Sequence, residues 1–165
     1  MPCPYANSPE HNKNHGCAGG KGSNFPLLGA AGRATGKNKL RQERPTILDP
    51  CNKADCELLA FQADGRPILS PTFAADGVAL NRVNVSKLLL NLDHSDFNSK
   101  REQLYHDIAR DVSIYEQLPA GSEVRAQVFD RVAAKLKPTA QFCTAARQYL
   151  RFHRHLQWVD DLLNS

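Results

Sequence analysis

Four side chains near the start of the chain have the chemistry to hold a metal: Cys3, His11, His15 and Cys17. Thiolate and imidazole are zinc donors. Their spacing, His-x3-His-x-Cys, is not that of a standard zinc finger, and a flexible leader with incidental histidines is the alternative. Three of the four lie in HNKNHGCAGGKGSNFPL (11–27), which also holds Lys21 among glycines. That arrangement invites a phosphate-loop reading. It lacks both the G-x-x-x-x-G-K-[S/T] spacing and a preceding strand, so the reading is rejected.

The second chemical signal is charge. Residues 1–46 carry seven basic and two acidic side chains, a net of +5, whereas the rest of the chain nets −1. Lys13, Lys21, Arg33, Lys37, Lys39 and Arg41 are the candidate nucleic-acid contacts, because Lys and Arg displace condensed counterions from a phosphate backbone. A solvated leader of the same composition is the competing account.

Other titratable groups are expected to be structural. Cys51 and Cys56 form C-x4-C with no second pair, which suits free thiols better than zinc. His94 precedes a long helical pattern as a capping or surface residue, and His106 belongs at a core edge. His153 and His155 flank Arg154 in RFHRH (151–155), which could touch a phosphate backbone but reads first as a polar helix face. Trp158 is expected to anchor the last helix.

Size and composition set the frame that must position these groups. The chain has 165 residues, 41% hydrophobic and 23% charged, enough for one domain with an arm. No apolar run approaches the roughly 20 residues of a membrane span. The N-terminus shows no apolar core of a secretory signal. The five cysteines are irregularly spaced, which points to a reduced, cytoplasmic chain.

Residues 1–24 show neither helix nor strand period, and 29–44 read as basic loop with a short helical turn. TILD (46–49) is a strand candidate and PCNKADC (50–56) a turn. ELLAFQADGRPIL (57–69) reads as a hairpin around Ala63-Asp64-Gly65. VALNRVNVSKLLL (78–90) is ambiguous between strand and strand-then-helix. From Asn91 the pattern is helical: Phe97, Leu104, Ile108, Tyr115 and Leu118 share one face up to Pro119 and Gly121. Ser122 is a candidate cap for a second helix with Val124, Val128, Val132 and Leu136 at fourfold spacing. A third helix is expected from Thr139 to Leu163, with Phe142, Ala146, Tyr149, His153, Leu156 and Val159 along one stripe.

Several phrases occur in a telling order. Phe25-Pro26-Leu27 is followed by Arg33-Ala34, ERPTILDP (43–50), LLAFQADGRPI (58–68), LLLNLDHSDFNSKRE (88–102) and QFCTAARQYLR (141–151). This progression resembles the C-terminal part of bacterial HNH-type endonucleases, in particular those of antiphage defence loci beside an ATPase, such as Septu systems and some retrons. The resemblance covers most of the chain from about Cys17. It implies DNA hydrolysis with a divalent metal (Mg or Mn, with a structural Zn as the other option), DNA and an ATPase subunit as partners, and no membrane. It also implies a structural role for Glu43 and Asp49.

In that family the FPL phrase follows a Cys-x-x-Cys-Asn-x-x-Lys-Gly segment. Here Cys17 stands four residues before Lys21-Gly22, where the second cysteine belongs, while Asn14 replaces the first cysteine and Ala18 the residue after the second. The family's upstream His-x-Pro-Lys phrase, source of the general base, is absent. Sixteen residues before Cys17 leave little room for two strands. The resemblance therefore makes His11 and His15 the catalytic candidates and Cys17 with His15 the metal candidates, in a degenerate or truncated finger. The expected fold is α+β and mostly α: a degenerate ββα-metal remnant in a basic arm (1–45), then a small β-hairpin region and a three-helix module (46–165).

Overall fold

The computed structural model describes residues 25–29 and 43–164. Among them are six α-helices and one two-stranded sheet. They divide into two units.

The unit that is smaller among the described residues holds 25–29, 43–60 and 67–94. α1 (Lys53–Glu57) starts where the Asn52 side chain accepts the Ala54 N–H at 2.9 Å. An Asn at the first cap position satisfies a backbone donor that the first turn leaves open. The expected turn at 50–56 therefore contains a short helix. β1 (Leu59–Phe61) and β2 (Pro67–Leu69) form the expected hairpin. A 3₁₀ turn, Pro71–Phe73, leads to α2 (Gly77–Leu89).

α2 resolves the ambiguous 78–90 segment in favour of one helix. Its start is set by Asp76, whose carboxylate accepts the N–H groups of Val78 and Ala79 at 2.9 and 3.0 Å. That cap outweighs the β-branched content of the segment, because Ala79, Val83 and Ser86 then fall on one buried face. Ala79 and Val83 pack with Leu48 and Leu58, flanked by Leu59, Leu69 and Phe73.

Residues 46–49 are buried at Thr46, Ile47 and Leu48 but are not a strand. Thr46 reaches a second backbone, its N–H donating to the Pro26 carbonyl at 2.9 Å, whereas the Leu48 N–H donates to Ser86 Oγ and the Asp49 N–H to Asp55 Oδ2, each at 2.8 Å. The backbone pairing sits just before them, as a single antiparallel bridge between Leu27 and Pro45.

The helical unit holds Phe61–Arg66, at the hairpin tip, and 95–164. It contains α3 (Ser95–Gln117), α4 (Glu123–Leu136), α5 (Cys143–Arg151) and α6 (Gln157–Asn164). Ser122 caps α4 as expected, its Oγ accepting the Arg125 N–H at 3.2 Å. Ile108, Val112, Val132, Leu136, Ala145, Ala146, Tyr149, Leu150 and Val159 form one core. Val124 departs from its expected stripe: it is 53% exposed, on the outer side of the first turn of α4.

The expected third helix is two helices. After Arg151 the chain turns through Phe152–Leu156, with the His153, Arg154 and Leu156 N–H groups each bonded to the carbonyl three residues back. No Pro or Gly marks the break. It redirects the chain so that Val159 of α6, with Leu162 and Leu163, meets the core that Tyr149 and Leu150 of α5 already face. A single straight helix would carry those residues past that core. The three-helix expectation is thus corrected to four.

Candidate functional site

All the predicted catalytic, metal and nucleic-acid residues lie outside the described residues: His11, Lys13, His15, Cys17, Lys21, Arg33, Lys37, Lys39 and Arg41. The expected ββα remnant lies there too. The structure does define the ground on which the 30–42 segment stands. The Leu28 N–H donates to the Arg44 carbonyl at 2.7 Å, and the Thr46 N–H to the Pro26 carbonyl at 2.9 Å. The backbone before residue 30 and the backbone after residue 42 are thus hydrogen-bonded to each other within the smaller unit. Arg33, Lys37, Lys39 and Arg41 all lie between the two feet, with no Asp or Glu among them.

The return foot is fastened by an ion pair. Arg82 on α2 forks onto Asp55 of α1 with two 2.6 Å bonds, and its Nη2 also donates to the Ile47 carbonyl at 3.4 Å. Asp55 accepts the Asp49 N–H at 2.8 Å as well. Burial alone would raise the Asp55 pKa, but the Arg82 hydrogen bonds, the Asp49 N–H and the Arg82 charge outweigh it and hold the carboxyl below its usual range. Ser86 completes the link, accepting from Leu48 and donating to the Arg82 carbonyl at 2.8 Å. Asp49 has the structural role expected of it: its Oδ1 accepts the Cys51 N–H at 2.8 Å, closing a turn. Cys51 and Cys143 are free thiols, and the Cys56 thiol donates to the Pro50 carbonyl at 3.3 Å.

In the helical unit the main polar cluster surrounds Asp111. Its side chain is fully buried and accepts from Arg131 at 2.7 Å and Lys135 at 2.6 Å, tying α3 to α4. Burial pushes its pKa up, and the hydrogen bonds and charges of Arg131 and Lys135 pull it down further, for a net lowering. One sequence signal could have found it. Asp111 falls on the apolar stripe of Leu104, Ile108 and Tyr115, where an acid needs a partner.

A lowered carboxylate pKa gives stability that is present above the unfolded value of about 4 and is lost as pH falls through the folded one. Asp111→Asn is therefore expected to cost about 2 kcal/mol at neutral pH. That is less than the roughly 3–5 kcal/mol for a fully enclosed pair, because the half-exposed Arg131 regains water. Urea unfolding across the acid range checks this. The wild type should lose stability below about pH 4 more steeply than the variant, and parallel curves would refute it.

The remaining histidines and Trp158 are also placed. His94 is buried rather than at the surface, and His106 is exposed, its ring edge-on to Tyr105 with centroids 5.4 Å apart. His153 and His155 stand with ring centroids 6.4 Å apart, and burial followed by the neighbouring His155 lowers the His153 pKa. Trp158 anchors α6 as expected: it lies 4.2 Å from the Tyr115 ring centroid and donates Nε1–H to Glu116 at 2.8 Å. Beside this stack, Tyr115, Gly121, Glu123, Arg125, Phe129 and Asp130 line an open cleft of about 640 Å³.

Among the described residues, no three His, Cys, Asp or Glu side chains come together as a metal site, and no helix is long and apolar enough to cross a membrane. The described residues are α+β: a small unit in which the backbone on either side of 30–42 is hydrogen-bonded together, and a four-helix unit with the buried, salt-bridged Asp111. No family model, no curated protein and no solved structure matches it.

Proposed function

We propose that the chain is an HNH-type endonuclease-like protein that binds DNA and hydrolyses its phosphodiesters with a divalent metal, in antiphage defence beside an ATPase partner. The ordered phrases from Phe25 to Arg151 support the family reading. The observation that carries DNA binding is the acid-free basic segment 30–42, whose two feet are hydrogen-bonded to each other at 2.7 and 2.9 Å. Closing the feet limits the chain entropy lost when such a segment settles on a duplex.

In this reading Arg33, Lys37, Lys39 and Arg41 take phosphates and fix the register, while His11 or His15 removes a proton from the attacking water. Cys17 and His15 would serve the metal, whose chemistry when bound is Lewis-acid stabilisation of the leaving oxygen. A second reading, a catalytically inactive relative acting as a nucleic-acid- or partner-binding module, is favoured by Asn14 and Ala18.

Supercoiled plasmid, incubated with the full chain and Mg or Mn, separates the two. The nuclease reading expects nicking that a chelator abolishes and that His11→Ala or His15→Ala lowers by about 100-fold, the scale of a lost general base. Salt-sensitive binding with no nicking under either metal establishes the inactive relative. Absence of binding at low salt removes the nuclease reading and leaves only the partner-binding form of the second.

A further inference from the structure

We propose that the outer arc of α5, with Lys137 at its foot and Phe152 at its end, is a second nucleic-acid contact that takes an unpaired strand. The proposal rests on the nucleic-acid reading above and adds a contact that the 30–42 segment does not supply.

The arc is set by what α5 buries. Ala145, Ala146, Tyr149 and Leu150 face the core, so Thr144, Arg147 and Arg151 share the opposite side. Arg147 Nη2 donates to the Leu136 carbonyl at 3.2 Å, which places its guanidinium at the end of α4, one residue from the exposed Lys137. Arg151 is exposed one turn further along. Phe152, the next residue, is 67% exposed, an unusual position for a large aromatic ring.

Pairing sets these cations apart from others in the same unit. Arg110, Arg131, Lys135 and Arg154 each meet a carboxylate. Among the described residues Lys137, Arg147 and Arg151 meet none, so their charge is available to an outside anion. Two guanidiniums a turn apart can follow successive phosphates of one strand. An exposed ring beside them offers a face for a base, which a paired duplex does not present and an unpaired strand does.

The test uses the full chain with a fluorescein-labelled 20-nucleotide single strand and the matching duplex as probes. K137E/R151E and F152A are compared with wild type and with R33Q/K37Q/K39Q/R41Q, each checked for unchanged helix content. K137E/R151E should weaken single-strand binding at least about tenfold, and should flatten the slope of log K against log salt by about 1.4, two phosphates at roughly 0.7 each. F152A should weaken the single strand by about tenfold and leave the duplex unchanged. If K137E/R151E and F152A bind the single strand like wild type while the 30–42 variant loses DNA, this contact is wrong and the DNA reading stands. If wild type binds neither probe at low salt, both are wrong.

Discussion

Replacing Gly65 with alanine should destabilise the helical unit by about 4 kcal/mol or more, among the largest effects a single methyl can have. Gly65 sits at the hairpin tip with φ +80°, a conformation that costs an L side chain about 1–2 kcal/mol. The larger penalty is steric. A Cβ there would lie 2.0 Å from the Asn98 carbonyl oxygen and 2.8 Å from its carbon, and both atoms are backbone in the first turn of α3. Helix backbone cannot move aside as a flexible side chain can, so the tip must lift.

Lifting the tip breaks more than one contact. Gln62, which turns the chain with Gly65 and Arg66, accepts the Tyr149 hydroxyl at 3.0 Å. Burial pushes the Tyr149 pKa up to about 12, so this hydroxyl stays a donor through the physiological range. Arg101, buried on α3, lies 4.8 Å from the Phe61 ring centroid and 5.7 Å from that of Phe142. Gly121→Ala is the control. It has the same φ of +80° and nothing within 4 Å of the added Cβ, so only the conformational cost of about 1 kcal/mol remains. Urea midpoints of the two variants decide the matter: similar losses would mean that the close approach to Asn98 does not hold.

Neutralising the 30–42 segment should have the largest effect on binding. With Arg33, Lys37, Lys39 and Arg41 all changed to glutamine, affinity for a short duplex should fall by about 100-fold at moderate salt. Four phosphate contacts give a slope of about 3.6 in log K against log salt, or roughly 150-fold between 50 and 200 mM. The variant should lose most of that slope. The measurement is a titration of labelled duplex at several salt concentrations. A slope that survives the four changes would place the phosphate contacts elsewhere on the chain. Arg82→Met tests the anchoring separately: it leaves every charge of the segment in place while removing the fork onto Asp55.

Local signals made much of this chain legible. The hairpin followed from alternation around Ala63-Asp64-Gly65, α4 from Ser122 and the fourfold spacing of Val128, Val132 and Leu136, and the role of Asp49 from its place before Pro50. These features depend on residues within a turn or two of each other, and capping, periodicity and turn chemistry act over that range. The β-branched residues of 78–90 left that segment ambiguous between strand and strand-then-helix, and the Asp76 cap makes it a helix from Gly77. The strand expected at 46–49 is absent because the Leu48 and Asp49 N–H groups are taken by the Ser86 and Asp55 side chains, the first of them 38 residues away.

What only tertiary structure decided has a common physical cause, the meeting of groups distant in sequence. Residue types alone identify Asp55, Arg82, Asp111 and Arg131 as charged, but burial and pairing arise when α1 meets α2 and α3 meets α4. The break after Arg151 is decided in the same way, since it is the core around Val159, not a breaker residue, that turns the chain. The sequence by itself determined the basic, acid-free character of 30–42 and the helical identity of the second half. Tertiary contacts decided that the two feet of that segment lie side by side, because no local rule brings Pro26 to Thr46.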